Sequence, residues 1–133
     1  MATPYQDRDM AAPALNPGDE TYFEAAKEGR LLVKRCKDCG EYHFYPRPIC
    51  PHCFSDQTEW VDAKGTGTIY TFSVTRRAGP VPYAIAHVTL DEGVAMMSNI
   101  VDCDLDDIHI GQAVKVVFKR TEDDWVVPCF TPA

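Results

Sequence analysis

Hydrophobic and polar positions change their spacing twice along this chain. Residues 1–15 mix Pro, Ala and charge without periodicity and predict a flexible tail. Tyr22, Phe23 and Ala26 then fall at three- and four-residue spacing, which predicts a helix over Thr21–Glu28. Asn16-Pro17-Gly18-Asp19 reads as its start. Asn16 would cap, Pro17 would take the first helical position, and the acid would sit in the first turn. Gly29 is a natural stop. The stripe is read equally as packing on its own domain and as docking onto a partner.

Two short apolar runs follow. Leu31–Arg35 reads as a strand, and Tyr42–Tyr45 as a second, closed by Pro46 and Pro48; Thr58–Val61 leads onward. Lys64-Gly65-Thr66-Gly67 reads as a bend between subdomains, since it lacks the length and Lys-Ser/Thr ending of a phosphate loop.

Beyond the bend the period becomes two. Thr68–Arg76 places Tyr70, Phe72 and Val74 on one face, and Tyr83–Leu90 places Ala84, Ala86, Val88 and Leu90 together. Asp91-Glu92-Gly93 signals a hairpin into Val94–Val101. Gln112–Lys119 turns Val114, Val116 and Phe118 inward and Lys115 and Lys119 outward. Trp125–Phe130 is the last strand, and Pro128 predicts an edge. Five strands with a longer link at 102–111 suit a small Greek-key barrel. The expected fold is mainly β: a tail over 1–15, a helix and ribbon over 16–62, and a five-stranded barrel over 63–133.

Composition bounds what this fold does. The chain has 133 residues and is 45% hydrophobic, enough for one compact domain or two very small ones. Its formal net charge of −7 argues against a nucleic-acid partner, which needs a basic surface. A local basic patch stays open, because Lys27, Arg30, Lys34, Arg35, Lys37 and Arg47 gather on or beside the ribbon. No signal peptide and no apolar run near the ~18 residues of a membrane span is read, so the expected compartment is the cytoplasm.

The strongest chemical signal is Cys36-Lys37-Asp38-Cys39-Gly40, followed by Cys50-Pro51-His52-Cys53. Thiolates two residues apart in a tight turn both reach one tetrahedral ion. Two facing turns supply four sulfurs, the pattern of structural zinc. Gly40 fits a knuckle turn that needs positive φ, and Pro51 fixes φ in the second turn. Two disulfides and a rubredoxin-type iron site are the competing readings. His43 or His52 could replace a sulfur, but four cysteines make this unnecessary. Cys103 and Cys129 lie outside the pattern and read as unpaired thiols.

Other candidates are weaker. Asp102, Asp104, Asp106 and Asp107 lack the Gly and distal Glu of a calcium loop and read as a solvated acidic link. His87 and His109 have no acid–nucleophile arrangement in sequence, so no catalytic residue is assigned. Arg76 and Arg77 are a candidate contact to a coenzyme A phosphate or a partner's acids; the plain alternative is a solvated hairpin tip.

The order of these motifs carries a resemblance. An aromatic helix precedes CxxCG. Tyr45-Pro46-Arg47-Pro48-Ile49-Cys50-Pro51-His52-Cys53 follows, then a glycine-rich turn before Ile69-Tyr70-Thr71-Phe72-Ser73-Val74, and Ile110-Gly111 before a Val-rich strand. Over about residues 18–130 the chain resembles the DUF35 family, which joins a rubredoxin-like zinc ribbon to an OB-fold. The resemblance implies an OB-fold barrel and a zinc site at Cys36, Cys39, Cys50 and Cys53. It also implies an accessory subunit of thiolase-like enzymes: acyl-CoA thiolases, acyltransferases and steroid side-chain aldolases, some fused or bound to hydratases. The partner would hold the catalytic groups, with acyl-CoA at or near the interface. Tyr22, Phe23, Tyr42, Phe44, Tyr83 and Ile85 are the expected contact residues. The alternatives are a nucleic-acid-binding OB-fold and a one-electron iron carrier.

Overall fold

A computed structural model describes residues 2–133. Helix α1 (Glu20–Lys27) is followed by β1 (Leu32–Cys36), β2 (Tyr42–His43) and β3 (Thr58–Asp62), which form an antiparallel sheet ordered β2-β1-β3. The strands β4 (Thr66–Thr75), β5 (Tyr83–Leu90), β6 (Ala95–Ile100), β7 (Ala113–Arg120) and β8 (Val126–Pro132) close into a barrel ordered β4-β5-β6-β8-β7. The expected mainly-β architecture, with a helix, a four-cysteine ribbon and a five-stranded barrel, is therefore what forms.

The helix starts later than the Asn16 cap implies. Asn16 is not the cap; residues 16–19 form a turn in which the Asp19 amide donates to the Asn16 carbonyl at 3.0 Å. Asp19 holds the cap position but makes no side-chain cap bond. Its carboxylate is turned away to accept from the Asn16 amide at 3.0 Å and the Tyr45 hydroxyl at 2.8 Å. The helix end behaves as expected. Arg30 N–H reaches the Ala25 carbonyl and Gly29 N–H the Ala26 carbonyl, the paired bonds of a Schellman stop.

The apolar face of α1 is the joint of the molecule. Tyr22 meets Phe44 of the ribbon, with ring centroids 5.8 Å apart, and Phe23 meets Trp125 of the barrel at 6.1 Å. One continuous core then runs through Leu31, Leu32 and Val33 into Ile69, Val88, Leu90, Ile100, Val114 and Phe130. Each such side chain contributes roughly 1.5–3 kcal/mol on burial. Tyr22 and Phe23 are both buried, so they are not available as partner anchors. The helix stripe is internal packing.

Inside the barrel one strand slips phase. β4 pairs Ile69 with Val88 but Thr71 with His87, leaving Tyr70 in a bulge. Ile69 is therefore buried and Tyr70 is 71% exposed, while Phe72 and Val74 face the core as expected. At Gly67 the strands approach so closely that a Cβ would lie 2.5 Å from the Thr89 carbonyl oxygen, which only Gly permits. Pro128 is not on a free edge. β8 pairs along β7 and meets β6 at the single parallel register Ile100–Phe130, where the barrel closes.

The acidic link is drawn into the structure. Asp102 pairs with Lys119 and Asp106 with Arg76, both at 2.8 Å. Asp104 caps a 3₁₀ turn over Leu105–Asp107 and also accepts from the Thr3 amide at 2.9 Å. The segment read as a tail lies along this link. Tyr5 N–H donates to the Cys103 carbonyl at 2.9 Å, and Met10 is buried against Val101 and Cys129.

Candidate metal centre

The end of β1 and two tight turns position the cysteines. In the first turn the Gly40 amide donates to the Cys36 carbonyl at 2.9 Å; in the second the Phe54 amide donates to the Cys50 carbonyl at 2.9 Å. The two knuckles are thus built alike and face each other. They bring together the four predicted ligands, Cys36, Cys39, Cys50 and Cys53, whose sulfurs all lie within 4.8 Å of one another. Cys36 and Cys53 Sγ are 3.6 Å apart, and Cys39 and Cys50 Sγ are 3.7 Å apart. Zinc–sulfur bonds near 2.3 Å give a tetrahedron with edges of about 3.8 Å, close to these two separations, so the set suits a four-coordinate ion.

The electrostatics point the same way. The Cys39 amide lies 3.5 Å from Cys36 Sγ and draws that thiol down to about 7. The Ser55 amide pulls Cys53 in the same direction, yet desolvation and the three neighbouring sulfurs push it up to about 12. Four thiolates at these separations repel one another, and a cation at their centre removes the conflict. The His52 amide adds a contact to Cys50 Sγ at 3.4 Å.

Neither histidine belongs to the cluster. His43 is buried, and its Nε2 accepts from the Arg47 amide at 3.2 Å, so the ring pins the chain leading to the second knuckle. Burial holds its imidazole below the usual value. His52 is exposed, with Nε2 3.3 Å from the Tyr42 carbonyl. The site is closed by sulfur alone, the arrangement of a structural rather than a catalytic centre.

The remaining candidates stay apart. Arg76 and Arg77 are both exposed, but Arg76 is paired with Asp106, so the two do not form one clamp. Cys103 and Cys129 are free thiols; burial pushes Cys129 up to about 11. His87 and His109 are exposed. Tyr42, Phe44 and Tyr83 are half-buried, and Ile85 lies on the barrel's outer face. What periodicity did not show is a set of exposed apolar groups at Ile49, Phe54, Tyr70, Met97 and Ile110. One of them carried a visible signal: Phe54 follows Cys53 where Gly40 follows Cys39.

A four-sulfur ribbon docked through an aromatic helix onto a closed five-stranded barrel defines a zinc-ribbon–OB-fold protein. The profile described as "ChsH2, rubredoxin-like zinc ribbon domain" matches residues 23–59, and "ChsH2, C-terminal OB-fold domain" matches residues 60–119. A "DUF35 domain-containing scaffold protein" of Methanocaldococcus jannaschii is 41% identical over 101 residues, covering 71% of each chain. The chain belongs to the DUF35 family.

Two further similarities are to proteins described as enzymes or enzyme subunits. The solved "Ltp2-ChsH2(DUF35) aldolase" contains a chain similar at TM-score 0.80 and 36% identity, covering 91% of this chain and 98% of that one. A "Probable enoyl-CoA hydratase alpha subunit" of Thermomonospora curvata is 37% identical over 125 residues, 91% of this chain, which spans only 39% of that relative's length. No helix among the described residues is long and apolar enough to cross a membrane.

Proposed function

We propose that this chain is a zinc-binding, non-catalytic subunit of a complex whose larger, thiolase-like member acts on acyl-CoA thioesters. The observation that carries this reading is the near-complete correspondence with the DUF35 chain of the aldolase structure, at 98% coverage of that chain. The four-sulfur centre supports the non-catalytic half. A closed site leaves zinc no open position for water or substrate, so the metal would hold the ribbon and offer no reactive ligand. Zinc in place of iron is supported by the family description, while four sulfurs at these separations suit either ion.

Arg77, exposed in the bend after β4, is the freer of the two cations proposed to meet a coenzyme A phosphate or a partner carboxylate. All six cysteines are free, which suits a reducing compartment, and the cytoplasm is part of this proposal.

The test is co-expression with thiolase-like and hydratase proteins from the same organism, followed by mass measurement and acyl-CoA turnover. A complex of defined stoichiometry, active only with both subunits, is expected. A lone monomer that turns over acyl-CoA thioesters by itself would overturn the accessory role.

A further inference from the structure

At the position after its second cysteine, each knuckle places a different kind of residue. Gly40 has φ +78 and Phe54 has φ +64, in the left-handed region that disfavours a side chain with a Cβ. The first turn meets this requirement with Gly. The second meets it with a large aromatic residue that is 81% exposed and so gains little from its own chain. A strained backbone that holds a bulky apolar group out in water is a reason to look for a partner.

The surroundings say what kind of partner. Ile49, on the same knuckle, is 52% exposed. Pro46, Pro48 and Pro51 line a groove of about 660 Å³ between them, together with Arg47. Prolines fix the rim, so little conformational freedom is lost when it is covered. Arg47 is the exposed charge on this rim; Asp19 also lines the groove, but it is buried with its carboxylate bonded to the Tyr45 hydroxyl. Among the described residues its guanidinium makes no ion pair within 4.0 Å, whereas Arg30 pairs with Asp62 and Arg35 with Glu59. The chain as a whole is acidic, at −7, so an acidic partner segment is repelled broadly and attracted here.

We propose that the rim of the second knuckle, centred on Phe54, Ile49 and Arg47, docks an apolar segment bearing a carboxylate on the larger subunit. This rests on the reading of the chain as an accessory subunit and names the surface that makes the contact. Phe54 and Ile49 enter an apolar depression of the partner, and Arg47 takes the carboxylate at its edge, an aromatic–arginine pairing typical of interface centres.

Two measurements test it. In the first, the full chain, Phe54→Gly and Arg47→Glu are each co-expressed with the same thiolase-like or hydratase protein. Each variant should bind at least tenfold more weakly while its metal content stays at the wild-type level and its melting temperature stays at or, for Phe54→Gly, which relieves the left-handed strain, above it, because both side chains are exposed. In the second, a leucine–glutamate peptide and its leucine–lysine counterpart are titrated up to millimolar concentration and followed by amide NMR shifts. Shifts from the acidic peptide alone, clustered at Arg47, Ile49 and Phe54, are expected.

The outcomes separate the two readings. A wild-type complex that both variants form equally well overturns the docking surface and leaves the accessory role standing. No complex, with clustered peptide shifts, overturns the accessory role and retains the surface. No complex and no clustered shift overturns both. A lone-chain dimer that Phe54→Gly dissociates assigns the surface to self-association and also overturns the proposal.

Discussion

The Tyr45 hydroxyl donates to the carboxylate of Asp19 at 2.8 Å, and Asp19 is only 4% exposed. This bond ties the chain before the second knuckle to the first turn of the helix. The same carboxylate accepts from the Asn16 amide, so it is bonded from both sides. Tyr45 in turn has its hydroxyl pushed well above the usual range, first by burial and then by its bond to Asp19.

Removing that hydroxyl leaves a buried carboxylate one donor short. The prediction for Tyr45→Phe is a loss of about 1–3 kcal/mol, the range for a hydrogen bond to a charged group. Urea unfolding of the zinc-loaded chain measures it. An unchanged midpoint would show that water replaces the hydroxyl without cost.

Metal removal should separate the two halves. One zinc per chain is expected by elemental analysis, and Cys50→Ser should lose it. Ligand binding and ribbon folding are coupled in sites of this kind, so the ribbon should unfold with the loss. Full metal content in Cys50→Ser would falsify the four-cysteine assignment.

The helix aromatics should behave as core. Phe23→Ala is expected to cost about 3–5 kcal/mol, the range for deleting a buried ring. It is also expected to expose the seam between ribbon and barrel, read as faster proteolysis between residues 62 and 66. A loss under 1 kcal/mol would contradict the burial of Phe23 against Trp125.

Nucleic acid should bind negligibly near physiological salt, because the net charge of −7 opposes phosphate neutralisation by the basic groups beside the ribbon. Tyr70, exposed at the bulge, is the side chain a stacked base would use, so the titration includes Tyr70→Ala. Micromolar binding that falls steeply with salt, and that Tyr70→Ala abolishes, would restore the nucleic-acid reading.

Much of this protein is local in origin. The cysteine spacing names all four cluster members, because two residues between thiols already dictate a turn that aims both at one point. The period-two stretch over Tyr83–Leu90 is the observed β5, since alternation reports a strand with one buried face. Gly29 stops the helix through its own φ, which neighbours do not alter.

Other features were decided only when distant segments met. Asn16 caps nothing, because Tyr45, 26 residues beyond Asp19, claims the acid and rebuilds the turn. Tyr70 leaves the core because a bulge against β5 shifts the phase of β4 by one residue, and alternation by itself has no means to report an unpaired position. Pro128 lies between two strands because the barrel closes, and closure is a property of all five strands together. Tyr22 and Phe23 read equally as anchors or core along the chain. Only the approach of Phe44 from one side and Trp125 from the other buries them and leaves the second knuckle as the exposed aromatic surface.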